Sequence, residues 1–266
     1  MHYCLRYGII LFGLALVSHG CTTKRPLFSI ENITSQEADG LSGLTSDQNL
    51  ALWAVQERRH QILKLAPDEQ ATPPKTFPLN DIPKEIDLES ITWLGGKRFA
   101  LGSELDIDNR QSDKVFIVEI HEQSASIKED FEIGYEHWPI TPGANHGIEG
   151  ICSAKSNILV GIESVIEENN KRYAPMMIYS MATKEMMPFK IELTTSAGKL
   201  AAMACRESND GSGIELFIIE RHFGIGRVLR FNITQQEDVS PATIVYDFAK
   251  ELDDLPNLEG LAFGAN

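Results

Sequence analysis

One short opening recurs five times along the chain. It reads GLSGL from Gly40, DLESI from Asp87, GIEGI from Gly147, KLAAM from Lys199 and NLEGL from Asn257. The third residues are Ser42, Glu89, Glu149, Ala201 and Glu259, at steps of 47, 60, 52 and 58 residues. A repeat of this size is one supersecondary unit that cannot bury its apolar face alone and must stack on its neighbours. Between the openings lie short apolar runs, such as Val115–Ile120, Met176–Ser180, Ile214–Ile219 and Val228–Ile233, bounded by Gly, Asn, Asp and Pro. Helix signals are scarce. Many short strands at a long fixed period predict an all-β chain, a β-propeller of about five to six four-stranded blades.

Each of the first four openings is followed by a second apolar run that ends in a glutamate: Glu57, Glu104, Glu163 and Glu220. The unit therefore reads strand, turn, strand ending in Glu, loop, strand, strand. The fifth opening comes close to Asn266, so its later strands are missing. Either FSIENI near the N-terminus closes the ring as an outer strand of a thin blade, or the sequence stops short of a full ring; the second is the expectation.

Hairpin arithmetic predicts which residues face each other. A two-residue Gly96-Lys97 loop sets Glu89 opposite Glu104. A three-residue loop, Lys155-Ser156-Asn157, sets Glu149 opposite Glu163. The turn signal Asp210-Gly211 sets Ala201 opposite Glu220. Like charges on directly opposed residues are destabilising. The first strand of a propeller blade lines the central channel, so these carboxylates should converge on one axis. Three arrangements could neutralise them. A hard cation such as Ca²⁺ takes several carboxylate oxygens. Raised pKa values could leave some glutamates protonated, as at many acid–base sites. Or Arg58, Arg59, Lys199 and Arg221, which adjoin the repeat positions, could pair with them.

The formal net charge of −14 disfavours a phosphate backbone, so nucleic acid is not an expected partner. The first 20 residues have the shape of an export signal: His2 and Arg6, an apolar run from Tyr7 to Val17, then small residues. Ser18-His19-Gly20-Cys21 is similar to a bacterial lipobox, which makes Cys21 the expected lipidation site. Residues 21–35 are then a tether and 36–266 one propeller domain. The expected location is the bacterial cell envelope, lipid-anchored or periplasmic, with membrane contact through the lipid alone and the protein a monomer. Of the four cysteines, Cys152 and Cys205 remain in the domain. Export permits a disulfide between them, and two buried free thiols are an equal alternative.

The strings GLSGL…LWAVQERR, DLESITWL…FALGSE, GIEGI and NLEGLAF resemble the bacterial phytase-like (esterase-like) β-propeller family, from about Asp39 to Asn266. The resemblance implies calcium-dependent hydrolysis of phosphate esters in an acidic channel, with Glu89, Glu104, Glu149, Glu163 and Glu259 as candidate ligands. QERR stands where the family tends to have Ser-Asp-Arg-Gly, and KLAAM has no opening Glu. The chain has no Gly-x-Ser-x-Gly, which disfavours a nucleophile-elbow serine hydrolase. DIDNRQSD begins like a calcium loop without its central Gly and is expected to be a solvated connection. The expected function is hydrolysis of phosphate or other esters by an exported protein. Glu220, His146 and His222 are the candidate catalytic groups, and Arg58 and Arg221 hold a small anionic or ester ligand. The rival expectation is a propeller of the envelope that binds a ligand or a protein without catalysis.

Overall fold

The computed structural model describes residues 9–11, 29–31, 40–65, 74–234, 238–252 and 254–264. Strand β1 (Ile9–Leu11) pairs antiparallel with β2 (Ser29–Glu31). Ser29–Glu31 of the FSIENI stretch thus join this ribbon and, among the described residues, add no outer strand to a blade; closure by such a strand was the less expected of the two alternatives. Cys21 and most of the expected signal and tether lie outside the described residues. Among those described, no helix is long and apolar enough to cross a membrane.

Four antiparallel four-stranded blades follow. The first holds β3 (Leu41–Ser46), β4 (Leu52–Gln56), β5 (Gln61–Leu65) and β6 (Lys75–Pro78). The second holds β7 (Ile86–Gly95), β8 (Arg98–Leu105), β9 (Ser112–Ile120) and β10 (Ala125–Gly134). In the third, β11 (Ile148–Ala154), β12 (Asn157–Ile162), β14 (Lys171–Ser180) and β15 (Met186–Glu192) pair in that order, and the short β13 (Ile166–Glu168) adds to β14. The fourth holds β16 (Lys199–Glu207), β17 (Gly213–His222), β18 (Ile225–Thr234) and β19 (Thr243–Asp247). The first strands of successive blades lie beside one another, which makes the chain a β-propeller.

The continuous apolar runs follow from this stacking. Side chains alternate faces along a strand, and each blade has a neighbour on both faces, so both sets must be apolar. In β9, Phe116 and Val118 enter the core shared with the first blade, while Val115 and Ile117 enter the core shared with the third. In β17, Leu216 and Ile218 pack toward the third blade, and Phe217 and Ile219 pack on the other side. Their partners there come from the fifth opening, where Leu258 and Leu261 join the fourth blade's core. Ala262 joins the core of the first blade. Gly43 N–H donates to Glu259 O at 3.0 Å. The fifth opening therefore lies between the fourth and first blades, where a further blade's first strand belongs.

Cys152 of β11 and Cys205 of β16 are bonded, with Cα atoms 5.6 Å apart. The bond closes a loop across the third and fourth blades, and of the two alternatives open in the sequence it is the disulfide that forms.

The hairpin registers correct the arithmetic. Gly95 does pair with Arg98, but irregularities between Trp93 and Gly95 and between Leu88 and Ser90 leave Glu104 opposite Asp87. The third-blade loop has two residues, Lys155 and Ser156, because Ala154 pairs with Asn157; both have positive φ, as a tight hairpin turn requires. A bulge between Ile148 and Gly150 then sets Ile148 opposite Ile162. In the fourth blade the expected register holds from Glu207–Ile214 to Ala202–Ile219, and a bulge then sets Glu220 opposite Leu200. Each bulge inserts one unpaired residue at the repeat opening. The expected facing pairs Glu89/Glu104, Glu149/Glu163 and Ala201/Glu220 do not form. Instead, Glu89, Glu149 and Ala201 occupy the bulges.

Candidate functional site

The bulges decide where the carboxylates go. A bulged residue is released from strict alternation and can be re-aimed. Glu89 is 9% exposed, and its carboxyl accepts a hydrogen bond from Ser42 Oγ of the preceding blade at 3.0 Å. Ser42 Oγ also reaches Glu89 O at 2.8 Å, so the equivalent position of the first blade secures the bulge of the second. The first blade has its own irregularity between Ser42 and Leu44. There Gly43 adopts φ +60°, and a Cβ on it would stand 2.6 Å from Ser90 Cα.

Second-strand ends bring in the next carboxylates. Glu104 is buried, and its Oε2 accepts Gly147 N–H at 2.8 Å. Arg110 Nη2 lies 3.9 Å from the same oxygen. Arg110 is itself anchored by Asp113, with Nε to Oδ1 at 2.7 Å and Nη2 to Oδ2 at 2.8 Å, and Tyr135 donates its hydroxyl to Asp113 Oδ2. The DIDNRQSD stretch was expected to be a solvated loop. Its Arg110 and Asp113 are instead buried, 8% and 1% exposed, and brace the Glu104 carboxyl. Gly147 permits this closeness, since a Cβ there would meet Asp113 Oδ2 at 2.3 Å.

The glutamates share one electrostatic field. Burial pushes Glu89 well above the usual carboxylate range, the charges of Glu57, Glu104 and Glu259 add to it, and the Ser42 hydrogen bond opposes. Burial does the same to Glu149, with Glu89, Glu163 and Glu104 adding and Arg221 opposing. Glu104 is pushed up to about 7 by burial, with Asp113 and Glu163 adding against Gly147 N–H and Arg110. Glu259 also reaches about 7, raised by burial and Glu57, and opposed by Arg221 and an Asn257 hydrogen bond. Burial raises Glu57 too, with Asp87 adding and Arg58 opposing. Glu89, Glu104, Glu149, Glu163 and Glu259 are therefore linked by one network of charge interactions, with Glu57 among them.

Beside this axis opens a cleft of about 660 Å³, lined by polar Glu163, Lys199, Arg221 and His222 and by apolar Leu252, Leu255 and Pro256. Arg221 joins it to the channel, with Nη1 3.3 Å from Glu259 Oε1. Lys199 Nζ lies 3.6 Å from Glu163 Oε2 and 3.1 Å from His146 Nε2. His146 Nε2 is 3.6 Å from Glu163 Oε2. His222 is exposed on the cleft wall. Arg58 is elsewhere, 81% exposed and 3.9 Å from Asp87. Glu220 is fully buried and holds a loop: its carboxyl accepts Thr195 N–H at 2.9 Å, Thr194 N–H at 3.1 Å and both threonine hydroxyls. Its oxygens are thus directed to the loop and not to the cleft.

The donor set at the axis is oxygen throughout, which suits a hard cation. Glu259 Oε2 is buried with no hydrogen-bond partner. Among the described residues, however, no three His, Cys, Asp or Glu side chains are grouped as a ready metal site.

The chain belongs to the phytase-like family, described as "Esterase-like activity of phytase", whose model matches residues 36–266. No curated protein matches it. Among solved structures it is similar to the PQQ-bound form of aldose sugar dehydrogenase from Streptomyces coelicolor, at 9% identity and TM-score 0.47 over 84% of this chain and 85% of that one. It is also similar to virginiamycin B lyase from Staphylococcus aureus, at 16% identity and TM-score 0.39 over 91% of this chain and 66% of that one. At these scores neither likeness says anything of what the chain binds.

Proposed function

We propose that the chain is an exported, lipid-anchored ester hydrolase of the cell envelope, acting on phosphate or carboxylic esters where the axial carboxylates meet the cleft. The observation that carries this is Glu259. Its carboxyl holds a proton up to about pH 7, and it touches Arg221 of the cleft wall at 3.3 Å. A carboxylic acid that is still protonated near neutral pH can serve as a general acid, and a second carboxylate on the cleft wall can serve as the base. Glu163 lines the cleft beside His146 and Lys199 and takes the base role. It removes a proton from water as the water oxygen bonds to the phosphorus or acyl carbon. Glu259 gives its proton to the departing alkoxide, so an alcohol and an acid leave. Arg221 and Lys199 hold the anionic oxygens through charge-assisted hydrogen bonds.

Calcium is proposed to bind at the axial carboxylates Glu89 and Glu149, which leaves Glu259 free to carry its proton. Bound there, it would supply positive charge next to the reacting oxygens. His222 remains a candidate proton carrier on the cleft wall. The test is release of nitrophenol from p-nitrophenyl phosphate and p-nitrophenyl acetate, with calcium and with EDTA. We expect turnover of at least one ester, falling about 100-fold or more in Glu259→Gln. Folded protein that releases neither, in calcium or in EDTA, contradicts the hydrolase reading and supports the non-catalytic rival.

A further inference from the structure

The cleft has two unlike kinds of lining, and this narrows what fits it. Cationic Lys199 and Arg221 share the same space of about 660 Å³ with apolar Leu252, Leu255 and Pro256. The apolar wall is backed by the core, since Leu252 and Leu255 pack against the cluster of Val228, Phe248 and Leu258. At its rim Phe223 is 94% exposed, in the turn between β17 and β18. A large aromatic left in water beside an apolar wall marks a surface that gains by being covered.

The cationic wall retains binding capacity. Lys199 is 3.6 Å from Glu163, longer than the 2.7–2.9 Å of a close charge-assisted bond. Arg221 reaches Glu259 through Nη1 at 3.3 Å, and a guanidinium carries five N–H donors in its fork. Asp254 and Glu163 also line the cleft, so a cationic ligand is the competing fit. An anion is favoured because Arg221 and Lys199 both keep N–H donors beyond these contacts, and two cationic groups can close on one oxyacid head.

We propose that the cleft is the recognition site for an amphipathic anion, an oxyacid head between Lys199 and Arg221 carrying an aromatic or aliphatic body that lies on Leu252, Leu255 and Pro256 under Phe223. This deepens the hydrolase reading by naming its substrate class, esters of apolar alcohols or acids in place of densely charged, wholly polar ones. It rests on that reading only for the chemistry. Recognition stands on the cleft alone.

Binding measured without turnover separates the two. Benzylphosphonate, methylphosphonate and phenylacetate are titrated calorimetrically into the full protein at pH 7. The apolar body buries roughly 100 Å² or more against the wall, so benzylphosphonate should bind about 10-fold or more tighter than methylphosphonate. Phenylacetate tells a carboxyl head from a phosphoryl one, and either head binding with its aromatic body fulfils the proposal. Phe223→Ser, a change at an exposed position, should reduce the benzyl-to-methyl ratio about 3-fold or more. Leu255→Ser should reduce it further, and Lys199→Met should weaken both phosphonates alike. Equal affinity for the benzyl and methyl compounds, a ratio unmoved by Phe223→Ser, or tighter binding of benzylamine than of any of the anions overturns the proposal. If the anions bind as expected and no ester is turned over, the hydrolase reading falls and the recognition site stands. If esters are turned over and the benzyl preference is absent, the recognition site falls and the hydrolase reading stands.

Discussion

Glu104 makes the stability of this propeller depend on pH in a direction opposite to that of most carboxylates. Its proton is held up to about 7 in the folded protein, against 4.5 for a free side chain, with burial as the leading cause. Between those values the native state binds more protons than the unfolded chain, so stability declines as pH rises through that window and levels off above it. The difference corresponds to roughly 3 kcal/mol when fully expressed. Glu104→Gln cannot ionise, and its carboxamide oxygen can still accept Gly147 N–H. Urea unfolding of both proteins at pH 5, 6, 7 and 8, followed by tryptophan fluorescence, gives the variant-minus-parent stability at each pH. That difference should move in favour of the variant by about 2–3 kcal/mol from pH 5 to pH 8. Groups that do not interact with Glu104 cancel in the comparison. A difference constant to within about 0.5 kcal/mol across the range refutes the claim that Glu104 carries a raised pKa.

Further outcomes follow from single contacts. Reduction of Cys152–Cys205, or Cys152→Ser, opens a loop of 53-residue separation and should lower stability by about 4 kcal/mol in urea unfolding with and without reductant; an unchanged midpoint would show that the bond is absent. Gly43→Ala places a Cβ 2.6 Å from Ser90 Cα at φ +60°, and should lose about 2 kcal/mol or more in the same assay. Glu220→Ala strands the amides of Thr194 and Thr195, and a loss of about 2–5 kcal/mol should appear as a lower melting temperature. A melting temperature unchanged by that substitution would contradict its role in holding the loop.

The fold was legible because its repeat was. Each opening begins a first strand, or in the fifth case the segment lying where one belongs, and each second apolar run is a second strand. What the sequence concealed was the bulge. An inserted unpaired residue has no marker in composition or periodicity, so counting outward from the turn runs out of step: Glu104 faces Asp87 in place of Glu89, and Glu220 faces Leu200 in place of Ala201, while in the third blade the shorter loop adds to the error. The convergence of the carboxylates survived that error because a bulge moves a residue by one place and leaves it at the same end of the blade. Arg110 and Asp113 were hidden for another reason. They sit in a polar stretch that reads as solvated, and are drawn inward by Tyr135, 22 positions along from Asp113. Gly147 was the available signal, since a glycine as the first residue of the opening leaves room for a close approach. Glu220 occupies the same repeat position as Glu57, Glu104 and Glu163, yet Thr194 and Thr195 claim its oxygens. Repeat position alone could not foresee that contact, which comes from a loop joining two blades.

The central claim is that glutamates of successive blades are buried, and near enough to one another, to keep protons that isolated carboxyls would lose. Carbon-detected NMR of the glutamate carboxyl carbons, followed from pH 3 to pH 9 in metal-free buffer, measures this one residue at a time. Glu104 and Glu259 should titrate near 7, with Glu89 and Glu149 well above 4.5. If all four lose their protons between about 4 and 5, like exposed glutamates, the carboxylates do not share an axis and the proposed chemistry has no acid.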